Sequence, residues 1–172
     1  MIELNKKTQQ DFLNREWVQK LLDAGVDMSD AKYALYRLKD ATSDIVVYQG
    51  TYFADDRYYN GIKVENMVPI VPTYTVSELL YKLHEWIYPT IDGREYSGEL
   101  SFIKDAPFYI FYYDLTAKPD EEGYVPVTKS KNDKYISAVF EYPIESLASL
   151  LIQCHKKDIG IKTKDIGDIS NK

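Results

Sequence analysis

At 172 residues, with 45% hydrophobic and 28% charged side chains, the chain has the composition of a packed globular protein, which excludes wholesale disorder. Its formal charge of −6 and sequence pI near 5.0 exclude the phosphate backbone of nucleic acid as the main partner, because such binding rests on clustered Lys and Arg. A single cysteine, Cys154, excludes an intramolecular disulfide and a Cys-rich zinc site.

These properties predict a cytoplasmic, non-membrane protein. The lone cysteine suits a reducing compartment. No apolar run approaches the ~20 residues that span a bilayer. The stretch "MIELNKKTQQDFLNREW" has no apolar core of signal-peptide length.

In chain order, the first helix is predicted to begin near Asn14. Trp17, Leu21 and Ala24 share one face, with Val18 and Leu22 beside it. Gly25 stands where a left-handed cap is wanted, followed by Val26 for its apolar contact. "AKYALYRL" (Ala31–Leu38) and "DIVVYQG" (Asp44–Gly50) read as an antiparallel hairpin, the second being rich in β-branched residues. From Gly50 to Thr73 the pattern is irregular, with a turn signal at Asn60-Gly61, a short strand in "GIKV", and Pro69 and Pro72 favouring extended backbone.

"TVSELLYKLHEWI" carries the strongest local signal. Thr75 and Glu78 form a capping box, and Val76, Leu79, Leu80, Leu83 and Ile87 make one stripe at ~100° per residue. The pattern predicts a helix over Thr75–Ile87, ended by Pro89. Three strands follow, in "GELSFI" (Gly98–Ile103), "FYIFYY" (Phe108–Tyr113) and "KYISAVFEY" (Lys134–Tyr142). Phe108–Tyr113 does not alternate, and so predicts a central strand covered on both faces. The charged, proline-containing segment Leu115–Asp133 is far longer than the ~2–5 residues a hairpin loop needs, and reads as an insertion. "PIESLASLLIQCHKKDIG" predicts the last helix, with Pro143 at its first position and Ile144, Leu147, Ala148 and Leu151 facing inward.

The expected architecture is a single α+β domain over residues 1–160, mainly an antiparallel sheet of about five strands with three helices, in the order α-β-β-α-β-β-β-α. Residues 161–172 are expected to be a flexible tail.

Chemical motifs are sparse. No P-loop, Rossmann glycine fingerprint, zinc spacing, EF-hand loop or nucleophile elbow occurs, and no cofactor or metal is expected. Of the two histidines, His84 falls at the border of its helix stripe and His155 on the inward face of the last helix. Cys154 and His155 diverge by ~100° on a helix and do not make a nucleophile–base pair. Asp55 and Asp56 read as solvated turn residues. The segment with most promise for recognition is Tyr52, Phe53, Asp55, Asp56, Arg57, Tyr58 and Tyr59. Four aromatics lie there in a stretch without regular pattern. They either tuck under the fold or form a partner site in which the charged residues supply the rim.

The blocks "LNREWVQKLLDAGVDMSDAKY", "VPTYTVSELLYKLHEW", "KDAPFY" and "YPIESLASLLIQC" resemble a group of small uncharacterised proteins carried on phages, prophages and integrative elements of gut bacteria. The resemblance covers most of residues 12–160. It rests on fold signatures, and so carries over no site residue. It implies an accessory protein of a mobile element. The resulting expectation is a non-catalytic interaction protein whose partner is a host or phage protein. Two alternatives stand beside it: an enzyme or small-molecule binder with a cleft near residues 50–73 and His84, and a phage structural component.

Overall fold

A computed structural model of the chain describes residues 2–4, 10–48, 58–59, 62–91, 93–117 and 140–156. Helix α1 spans Arg15–Asp23. The Asn14 side chain accepts the Trp17 amide proton at 3.0 Å and satisfies one of the free donors of the first turn. Gly25 ends the helix at φ +83°, a conformation that L side chains rarely adopt. Trp17, Val18 and Leu21 are buried, while Leu22 is exposed.

Strands β1 (Ile2–Glu3), β2 (Tyr33–Leu38), β3 (Ile45–Tyr48) and β6 (Met67–Thr73) form the first sheet, in the antiparallel order β1-β3-β2-β6. The β2–β3 hairpin is the one the sequence predicts. β6 is a correction, because Gly50–Thr73 reads as irregular in sequence, although the extended backbone expected at Pro69 and Pro72 fits the strand. It lies at the sheet edge, where Pro69 and Pro72 need no amide proton for a second neighbour. Between the pairs Leu35↔Val71 and Arg37↔Val68 the register shifts by one, with the extra residue in β6, as in a bulge. Strands β4 (Tyr58–Tyr59) and β5 (Ile62–Lys63) pair with each other. β5 and the following helical turn, Val64–Asn66, place Ile62 and Val64 against a small cluster of Ala34, Tyr36, Val47 and Met67 on one face of the first sheet.

Helix α2 covers Val76–Lys82 and carries both halves of the Thr75/Glu78 capping box. The predicted extension to Ile87 does not form. Leu83 turns to ψ 116°, and Trp86–Ile87 becomes strand β7. The physical reason is competition for the backbone. The His84 carbonyl accepts the Tyr113 hydroxyl at 2.7 Å, and the Glu85 carbonyl accepts the Leu100 amide at 2.8 Å. Trp86 and Ile87 themselves pair with Glu99 and Gly98 of β9, and that extended backbone takes the last predicted turn out of the helix.

The second sheet contains β7, β8 (Thr90–Ile91), β9 (Arg94–Asp105) and β10 (Phe108–Ala117). Its order is β10-β9-β7, and β8 pairs with the start of β9; every pairing is antiparallel. The fold is thus α+β with antiparallel pairing throughout, and the described strands divide into two four-stranded sheets and the small β4–β5 pair, where one main sheet had been expected. Gly98 is required by close packing: a Cβ there would lie 2.5 Å from Leu115 Cδ2 and 3.2 Å from Ile87 Cγ1.

Helix α3 (Pro143–Lys156) packs on β10, α2 and α1. Ile144, Leu147, Ala148, Leu150, Leu151 and Cys154 enter the main core, together with residues of α1, α2 and both sheets. The buried Ser146 Oγ accepts the Phe111 amide at 2.9 Å, and Trp17 Nε1 donates to Glu145 at 3.1 Å, tying α3 to β10 and α1. Of the predicted strand Lys134–Tyr142, residues 134–139 lie outside the described residues. Phe140 exchanges two backbone hydrogen bonds with Tyr109, at 2.7 and 3.3 Å. The insertion Leu115–Asp133 begins as the end of β10 and lies beyond the described residues from 118 on, as does the predicted tail.

Candidate binding face

Register and pleat divide β9 and β10 into two faces. Leu100, Gly98 and Tyr96 oppose Tyr113, Leu115 and Ala117. All of these but Leu100 are buried, and this face joins the core with α3. On the opposite face, Asp105 stands across from Phe108, Ile103 from Ile110, Ser101 from Tyr112, and Glu99 from Asp114. Trp86 of β7 lies on the other side of Glu99 and shares that face. None of these outer-face residues is buried. Trp86 is 44% exposed, Ile103 47% and Phe108 43%, so three large apolar side chains meet solvent beside the half-buried Ile110 and Tyr112.

The apolar character continues around the tip of the β9–β10 hairpin. Phe102, on the core-side face but beyond the reach of full burial, stacks on Phe111 at 5.2 Å and on Tyr109 at 6.4 Å. Lys104 lies over the Tyr109 ring at 5.6 Å. The expectation that Phe108–Tyr113 is covered on both faces therefore needs correction. Of its six residues only Tyr113 is fully buried. The run is apolar on both sides because one side belongs to the core and the other is open, a distinction that periodicity does not encode.

The outer face also has a definite charge. Glu99 and Asp114 are direct cross-strand neighbours, an arrangement that disfavours folding because like charges oppose. Neither has an ion-pair partner among the described residues. Arg94 and Lys104 of β9 fall on the other side of the pleat.

Of the residues singled out in the sequence, Tyr52, Phe53, Asp55, Asp56 and Arg57 lie outside the described residues. Tyr58 and Tyr59 form strand β4, paired with Lys63 and Ile62 of β5. His84 is half-buried in the turn after α2, with its carbonyl on Tyr113. Cys154 is buried, whereas His155 is exposed near Gly25, which corrects the inward placement of the imidazole. The two side chains point apart, as their helical spacing requires.

A separate cleft of about 410 Å³ is lined by Asp30, Lys32, Tyr74, Ser77, Glu78 and Tyr81, and does not include His84. Its polar groups are largely occupied by the fold. Tyr74 Oη donates to Asp30 at 2.6 Å, Lys82 pairs with Asp30 at 2.9 Å, and Glu78 accepts the amides of Lys32 and Thr75. Burial and the Asp30 carboxylate push the Tyr74 hydroxyl far above its ordinary pKa, so it keeps its proton and does not serve as a base. Burial works against ionisation of Asp30, yet the hydrogen bonds from Tyr74 and Lys82 outweigh it and hold its pKa below the ordinary value. Among the described residues no group of three His, Cys, Asp or Glu is placed to hold a metal ion, and no helix is long and apolar enough to cross a membrane.

No family model matches the chain, and neither a curated protein nor a solved structure matches it.

Proposed function

We propose that the chain is a non-catalytic protein-interaction module and that the outer face of the second sheet is its binding surface. The observation that carries this reading is the set of large apolar side chains, Trp86, Ile103, Phe108, Ile110 and Tyr112, on a sheet face where no residue is buried. Aromatic and branched residues on a stiff β-hairpin give large contact area at small entropic cost, as anchors of protein interfaces do. The resemblance to uncharacterised proteins of phages and mobile elements is in keeping with an accessory role toward a host or phage protein.

Site-specific photo-cross-linking in the native host tests this. A photoreactive side chain at Ile103 or at Phe108 should capture the same protein, and one at Leu22, exposed on α1, should not. Capture from Leu22 equal to that from Ile103 would show that the face has no special role.

A further inference from the structure

We infer that the protein bound by this face presents an apolar strip flanked by Lys and Arg; the inference rests on the outer face being the binding surface. The argument is one of charge complementarity. Glu99 and Asp114 sit side by side at one end of the apolar patch, next to Trp86, and Asp105 sits at the other end, opposite Phe108. All three carboxylates are exposed. Among the described residues no Lys or Arg of β7, β9 or β10 projects from this face. The Glu99/Asp114 pair weakens the isolated sheet, and a cation from a partner relieves that repulsion.

The same charges argue against a second copy of the chain as the occupant. A two-fold symmetric contact places a patch on itself, so two sets of carboxylates would crowd one another across a drying interface. A basic partner meets the opposite condition: its Lys and Arg reach the carboxylates at both ends while its apolar strip covers Ile103, Ile110 and Tyr112.

Two synthetic amphipathic helices serve as probes. They share one Leu/Trp face, flanked by Lys and Arg in the first peptide and by Glu in the second. Calorimetry on the full chain should show the cationic peptide binding at least about tenfold more tightly than the anionic one. Raising salt from about 50 to about 300 mM should weaken it several-fold. Glu99→Lys with Asp114→Lys should reverse the preference, whereas Glu16→Lys with Asp11→Lys, away from the face, should leave it unchanged.

Equal binding of the two peptides, no binding of the cationic one, or cationic binding insensitive to Glu99→Lys/Asp114→Lys overturns the inference. So does a concentration-dependent dimer that Ile103→Thr/Phe108→Thr abolishes. The same double substitution separates the two levels of the account. If it weakens both peptides while charge reversal changes nothing, the face stands as a binding surface and its proposed charge preference falls. If it changes neither peptide, both fall.

Discussion

Arg15 shows how one side chain joins a helix to a sheet. It leaves the first turn of α1 to pair with Asp44 at 2.5 Å, and its two terminal nitrogens donate to the carbonyls of Pro69 and Leu35. The guanidinium thus spans β2, β6 and the approach to β3 with three hydrogen bonds in a fixed fork. Asp44 is buried, so removing Arg15 leaves a charge with little water and only the more distant Arg37, at 4.0 Å, as an ion-pair partner. Arg15→Ala is expected to cost about 3 kcal/mol, the low end for a broken buried pair because Arg15 itself is partly exposed. Equilibrium denaturation checks it.

At Tyr74 the ionisation has a defined sign. Its folded pKa lies above the ordinary value of 10.0, from burial first and then from Asp30. The hydroxyl's contribution is therefore complete below about pH 10, and falls as pH rises beyond it and the unfolded chain ionises. Asp30 acts oppositely: its folded pKa is depressed, so its contribution is present above about pH 4 and is lost as pH falls below that. Melting temperature should hold a plateau between these limits. Tyr74→Phe should lower the plateau and make the alkaline limb shallower; an alkaline limb of unchanged steepness would assign that loss to other groups.

At the scale of the element, local chemistry was legible in the sequence and long-range competition was not. The Asn14 cap, Gly25, the Thr75/Glu78 capping box and Pro143 all act within a few residues of their own position, and each is found where the pattern puts it. Helix α2 stops at Lys82 because Trp86 and Ile87 pair with Glu99 and Gly98 of β9, partners which no window of the sequence around them contains. The prolines of β6 have the same explanation: whether a strand tolerates them depends on its place at an edge, a property of the sheet.

The candidate face was half legible. The unbroken apolar run at Phe108–Tyr113 signalled two apolar sides, but only register shows that Ile103 and Ile110 face outward together and that Glu99 meets Asp114. The contrast between the two faces is measurable. Tyr113→Ala removes a buried ring and its hydrogen bond, and should cost about 3–5 kcal/mol. Gly98→Ala should cost about 1–3 kcal/mol, because the new methyl group meets Leu115 and Ile87 on the packed side. Both are read from denaturation midpoints, and near-neutral values would mean that this side is not the packed one.

At the scale of the molecule, the two four-stranded sheets share one core with helices α1, α2 and α3 among the described residues, and the second sheet gives only one of its faces to that core. The cost is an apolar, acidic surface that folding does not require, and binding is the role proposed for it. The most direct test is the stability of the full chain carrying Ile103→Thr and Phe108→Thr, substitutions that keep strand propensity at Ile103 and remove apolar bulk from the outer face. Urea denaturation should show a loss of about 1 kcal/mol or less, because nearly half of each residue is already in contact with water. A loss of more than about 3 kcal/mol would mean that the face is filled by the protein itself, leaving no apolar surface there for a partner.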